Sequence, residues 1–137
     1  MAAPIPRHVS GELVRVALVQ ARPGALTTAQ LVDVTGLTAS QVANGIRWIR
    51  ETAAAANLTP LTWTARAGYE FSDNPVDWVN YEIGVFRRVL TMLLRLLQGT
   101  LDPHKAKTPR DRFAKMATSH VNTMIESLEY ITQQHPS

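Results

Sequence analysis

The sequence predicts a mainly α-helical protein with one small β-hairpin and a C-terminal antiparallel helical hairpin. Three observations carry that class. Apolar residues recur at spacings of three and four over most of the chain. Two helix-start signatures, Thr27-Thr28-Ala29-Gln30 and Thr38-Ala39-Ser40-Gln41, follow each other closely. Alternation of apolar with polar residues is confined to a short stretch after Asn57.

The elements follow in order. Pro4 and Pro6 mark a leader, and Ser10 is placed to cap a helix over 11–21 with Leu13, Val16, Ala17 and Gln20 on one face. Arg22-Pro23-Gly24 stops it. Each Thr-x-x-Gln signature then opens a short helix, Leu31 and Val34 lining the first and Val42, Ile46, Ile49 and Ala53 the second, with a turn at Gly36-Leu37. Two short helices joined by a Gly-containing turn describe a helix-turn-helix. Leu61-Thr62-Trp63-Thr64 and Tyr69-Glu70-Phe71, around Arg66-Ala67-Gly68, describe the hairpin.

Asn74 caps and Pro75 starts a long helix expected to run to Gln98 and stop at Gly99, with Asp77 near its positive end. Val76, Val79, Ile83, Phe86, Leu90, Leu93 and Leu97 form a heptad seam, and Trp78, Val85, Val89, Met92 and Leu96 form a second stripe beside it. A helix with two apolar faces needs two partners. A final helix opens after Thr108-Pro109-Arg110-Asp111 and turns Phe113, Ala117, Val121, Met124, Leu128 and Ile131 inward, ending before His135-Pro136. The expected division is 10–72 and 73–134.

Composition narrows the chemistry. A chain of 137 residues with 45% hydrophobic and 18% charged residues suits one folded domain, or a small domain with an appended element. The lack of Cys removes disulfides, thiolate catalysis and Cys-ligated metals. No leader resembles a signal peptide, and Arg87, Arg88 and Arg95 interrupt the longest apolar run, so the expectation is a soluble cytoplasmic protein without a membrane partner. The net charge of +3 is uneven: residues 1–66 and 105–115 are basic, while 67–104 and 116–137 are acidic. The pattern permits a polyanion partner without demanding one.

Catalytic signals are sparse. His8, His104, His120 and His135 are scattered, no phosphate-binding glycine loop or GxSxG elbow is present, and no cofactor or enzyme activity is expected. Lys105, Lys107, Arg110, Arg112 and Lys115 form a charge run whose usual fate is solvation. Trp48, Trp63 and Trp78 are expected to fill core or interface space, Trp48 lying beside the outward face of the second short helix.

The stretches Leu26–Leu31 and Thr35–Val42, followed by Gly68-Tyr69-Glu70-Phe71, resemble the winged helix-turn-helix transcription regulators over about residues 10–72. The long helices beyond are similar in layout to dimerising regulators of the PadR and MarR type. Val32, where these motifs usually hold Ala, and Gly45, which weakens the helix by about 1 kcal/mol relative to Ala, depart from the pattern. The resemblance implies a homodimeric, sequence-specific regulator of double-stranded DNA, such as a repressor, with the second short helix in the major groove and the hairpin as its wing. Ala39, Ser40, Ala43, Asn44 and Arg47 would face the bases, with Thr38 and Gln41 alongside. Thr28 and Arg50 would meet phosphates, and Arg66 at the wing tip a minor groove. Val79, Ile83, Phe86, Leu90, Leu93 and Leu97 would join two copies. A protein-docking module, such as a phage or mobile-element factor that docks on host machinery, and a replication accessory protein are the alternatives.

Overall fold

The computed structural model describes residues 4–134. The helices are α1 (Arg7–Ala21), α2 (Thr28–Thr35), α3 (Ala39–Thr52), α4 (Pro75–Leu96), α5 (Asp102–Lys107) and α6 (Arg112–Gln133), with strands β1 (Leu61–Thr64) and β2 (Gly68–Phe71) between α3 and α4. The class is mainly helical with a two-stranded antiparallel hairpin. Internal contacts divide the chain into two compact units, Met1–Tyr81 and Glu82–Ser137.

In the first unit, α1 begins earlier than Ser10. Pro6 takes the cap position, and its carbonyl accepts from the N–H groups of Val9 and Ser10 at 3.0 and 3.2 Å. Ser10 is therefore one turn inside the helix, buried, and its hydroxyl has no partner among the described residues. The buried face is Ser10, Gly11, Val14, Ala17 and Leu18, so Leu13 and Val16, expected inside, are exposed. Small residues explain the rotation. A Cβ on Gly45 of α3 would stand 2.9 Å from the Ser10 carbonyl oxygen, and one on Gly11 would collide with the Trp48 ring. The two helices thus approach nearly backbone to backbone, which larger residues on either face would prevent.

Both capping boxes form. Thr27 accepts from the Gln30 N–H at 3.2 Å while Gln30 accepts from the Thr27 N–H at 2.8 Å, and Thr38 and Gln41 repeat the exchange at 3.2 and 2.9 Å. Gly36 ends α2 with φ +74°, a left-handed conformation that glycine adopts without strain. Leu31, Leu37, Val42, Ile46 and Ile49 join Val14, Leu18, Leu61 and Phe71 in one core. Val34, expected beside Leu31, is 62% exposed: α2 is so short that one buried anchor suffices to seat it.

The expected hairpin forms, pairing Leu61 with Phe71 and Thr64 with Gly68 across a three-residue turn, but Thr62 is buried and Trp63, expected to fill core or interface space, is exposed. One further pairing was not read from the sequence. Leu26 and Tyr69 exchange backbone hydrogen bonds of 2.9 and 2.8 Å, joining the segment before α2 to β2. Gly68, at φ +97°, lies against the Leu26 backbone where a Cβ would not fit.

Asn74 accepts from the Val76 N–H at 3.1 Å and opens α4. Gly99 does not stop the helical path. A π-helical segment, Leu97–Leu101, leads directly into α5, and the Asp102 N–H reaches the Leu97 carbonyl. Pro103 supplies a reason, since its ring lacks an N–H and would crowd the carbonyl four residues back in a regular α-helix. In the second unit, Leu97 and Leu101 pack with Val121 and Ile125 of α6, flanked by Leu90, Leu93, Leu94 and Ala117.

Asp111 caps α6 through the N–H groups of Phe113 and Ala114. The buried face is Ala114, Thr118, Val121 and Ile125. Phe113 and Met124, expected inward, are 60% and 46% exposed. Ala114 and Ile125 are buried where Phe113 and Met124 were expected, Val121 is buried as expected, and Thr118 enters the interior with its hydroxyl donated to the Ala114 carbonyl at 2.7 Å. On α4, Met92 and Leu96 of the second stripe are likewise exposed. His135 and Pro136 lie outside the described residues.

Candidate nucleic-acid interface

The burial of Val42, Gly45, Ile46 and Ile49 fixes which side of α3 faces out. Ala39, Ser40, Ala43 and Arg47 are exposed, and Asn44 is half-buried beside them. The Arg47 guanidinium donates to the Asn44 Oδ1 at 3.4 Å, so the two side chains lean together one turn into the helix. Neighbouring Thr38 and Gln41 are committed to the cap: the Thr38 hydroxyl oxygen and the Gln41 Oε1 each accept a backbone N–H. The hydroxyl hydrogen of Thr38 and the amide donors of Gln41 remain for a ligand. Thr28 is exposed in the first turn of α2.

Arg50 is held more firmly than its exposure suggests. Its guanidinium lies 5.7 Å from the centre of the Tyr69 ring and 5.5 Å from that of Tyr81, a pair of cation–π contacts that limits a flexible side chain to few rotamers. Tyr69 is in turn fixed by the Leu26 pairing and by Trp63, whose ring is centred 6.5 Å away. Ala43, Ile46, Arg47, Arg50, Glu51 and Tyr69 line an open depression of about 350 Å³ along this side of α3. The carboxylate there, Glu51, is paired with Arg7 at 2.8 Å, which removes much of its repulsion toward an anion. Arg66 is exposed at the hairpin tip, where the Ala67 N–H donates to the Thr64 hydroxyl oxygen and tightens the turn.

The sequence missed Tyr69 and Tyr81 as the residues that orient Arg50. No local signal marks Tyr81, which reaches α3 only because the hairpin returns the chain to it. Trp48 is turned away from the outward face, packing over Gly11. A pocket of about 310 Å³ between the hairpin and the start of α4 carries Glu70 and Asp77, the opposite polarity from the α3 side.

The seam residues separate. Leu90, Leu93 and Leu97 pack within the chain's own helical hairpin, and Ile83 is buried. Val79 and Phe86 remain exposed at 37% and 36%.

Comparison with family models, curated proteins and solved structures found no match. The reading of this surface therefore rests on its own geometry. Among the described residues there is no cluster of three or more His, Asp or Glu able to hold a metal, and no helix is long and apolar enough to cross a membrane.

Proposed function

We propose that the chain binds double-stranded DNA as a winged helix-turn-helix regulator, with α3 in the major groove and the β1–β2 hairpin as the wing. The observation that carries this reading is the exposed row Ala39, Ser40, Ala43 and Arg47, with half-buried Asn44 beside it, on a helix whose opposite side is committed to the core. Small residues at the start of such a helix let its backbone approach the groove floor. Asn44 matches the donor–acceptor pair of adenine and Arg47 the paired acceptors of guanine. Arg50, oriented by its two tyrosines, and Thr28, at the start of α2, are suited to phosphates on either side. Arg66 follows the backbone or the adjacent minor groove from the tip of the wing.

In this reading two copies act together on repeated half-sites. Since Leu90, Leu93 and Leu97 are used within the chain, the self-association surface draws instead on exposed Phe113, Met116, Met124 and Tyr130 of α6, together with Phe86. The same exposed residues favour the protein-docking alternative, as does the apolar row Val9, Leu13 and Val16 on α1.

Selection from a random duplex pool, followed by methylation interference on the enriched site, read at guanine N7 in the major groove and at adenine N3 in the minor groove, tests the proposal. Enrichment of a short motif with interference in the major groove is expected. A pool that stays random after selection would reject sequence-specific recognition, and interference confined to the minor groove would reject the placement of α3.

A further inference from the structure

We propose that the face of α4 bearing Arg88, Thr91 and Arg95 is a second binding surface, specific for the phosphodiester backbone of duplex DNA and located in the C-terminal unit. The inference takes the identity of the polyanion from the reading above, but it does not depend on which element reads bases.

Arg87, Arg88, Thr91, Met92 and Arg95 line a depression of about 420 Å³. A seven-residue spacing places Arg88 and Arg95 two turns apart on one side of the helix, with Thr91 between them. No Asp or Glu occurs from Ile83 through Leu101. Arg7, Arg15 and Arg22 each meet a carboxylate, whereas Arg88 and Arg95 form no ion pair among the described residues. No acid within this stretch and no ion pair among the described residues accounts for the two arginines.

A helix-dipole explanation also fails. Arg95 lies in the last turn of α4, but the helical backbone continues through Leu97–Leu101 into α5 as far as Lys107. The carbonyls near Arg95 are therefore not a free helix end for a cation to cap.

Guanidinium groups bind phosphate oxygens in a planar, two-pronged fashion, and since the Thr91 hydroxyl between them donates to the Arg87 carbonyl at 3.0 Å, the two arginines supply the phosphate contacts. Seven helical residues rise about 10.5 Å, which matches about three phosphate-to-phosphate steps of one strand at ~3.4 Å of axis each. The rest of the unit favours an extended polyanion over a compact acidic peptide. Lys105, Lys107, Arg110, Arg112 and Lys115 make a second exposed basic tract, in which Asp111 is engaged in capping α6 and in contact with His104.

The test uses the full chain, a labelled random-sequence duplex and the motif recovered by selection, titrated between 50 and 200 mM KCl. Each phosphate contact contributes about 0.9 to the slope of log affinity against log salt. Arg88→Ala/Arg95→Ala is expected to flatten that slope by about 1.8 on both duplexes while leaving the motif-to-random ratio unchanged. Arg88→Lys/Arg95→Lys is expected to retain the slope. An unchanged slope in the alanine variant, or no duplex binding by the wild type, would overturn the proposal. Arginine-dependent capture on phosphatidylserine vesicles with an unaltered duplex slope would overturn it in favour of a lipid surface. The α3 assignment fails separately: if Asn44→Ala and Arg47→Ala leave the motif preference intact while the α4 variant flattens the slope, this surface stands and the base-reading helix does not.

Discussion

The contact between α1 and α3 and the contact between α6 and Leu97–Leu101 each build a core between helical segments, but they leave very different surfaces behind. Ser10, Gly11 and Gly45 bring α1 and α3 together so closely that Val14, Leu18, Val42, Ile46 and Ile49 are sealed inside, and Trp48 closes over Gly11. Val121 and Ile125 of α6 pack with Leu97 and Leu101, yet Phe113, Met116, Met124 and Tyr130 stay exposed along the helix. The first contact completes a core and frees one polar face of α3. The second completes a smaller core and leaves apolar surface available to another molecule.

The largest expected effect lies in the sealed contact. Ile49→Ala removes a fully buried side chain from the N-terminal core and should cost about 3–4 kcal/mol. Amides of α1 and α3 should lose hydrogen-exchange protection together. If α6 amides lost theirs to the same degree, the two cores would be one cooperative system and the contrast between them would fail.

Two glycines sharpen the contrast because their substitutions should act with opposite sign. Gly45→Ala places a Cβ against the Ser10 carbonyl and should destabilise by about 1–2 kcal/mol despite the better helix propensity. Gly84→Ala, within α4 and with open space around the new Cβ, should stabilise by up to about 1 kcal/mol. Urea denaturation of both variants decides it, and stabilisation by Gly45→Ala would show that the helices are not in close contact.

Ser10→Ala is a smaller test at the same crossing. The Ser10 hydroxyl is 1% exposed and unpartnered, so deleting it should stabilise by about 1 kcal/mol. Destabilisation would mean that the hydroxyl has a hydrogen-bonding partner, such as a buried water.

The start of α6 should respond to pH. Hydrogen bonds from the Ala114 and Phe113 N–H groups, with the contact to His104, hold the Asp111 carboxyl below the ordinary aspartate range. A depressed folded-state pKa contributes stability that is present above the unfolded value and lost as pH falls through the folded one. Amide shifts of Phe113 and Ala114 should therefore move in acid, and Asp111→Asn, which keeps an accepting oxygen but does not titrate, should abolish the movement.

These helix contacts also show what the sequence could and could not disclose. Both capping boxes, the Gly36 turn, the buried row of α3 and the hairpin were legible, because each depends on residues within a few positions of one another. The faces of α1 and α6 were not. Hydrophobicity favours the bulkier stripe of each helix, whereas the buried face takes Ser10 and Gly11 in α1, where α3 approaches closely, and Ala114 and Thr118 in α6. The continuation past Gly99 was missed for a related reason, since a π-helical segment has no simple residue signature. At the candidate site, the outward residues of α3 followed from its buried row. The clamp on Arg50 did not, because Tyr69 and Tyr81 meet it only after the hairpin folds back.

The central claim is that α3 reads sequence while the hairpin tip holds backbone. The direct measurement is the affinity ratio between the selected duplex and random duplex for wild type, Asn44→Ala and Arg66→Ala at fixed salt. Asn44→Ala is expected to lower the ratio by about 1–3 kcal/mol with little loss on random DNA, and Arg66→Ala to weaken both duplexes while preserving the ratio. An unchanged ratio in Asn44→Ala, with Arg66→Ala also neutral on both duplexes, would contradict it.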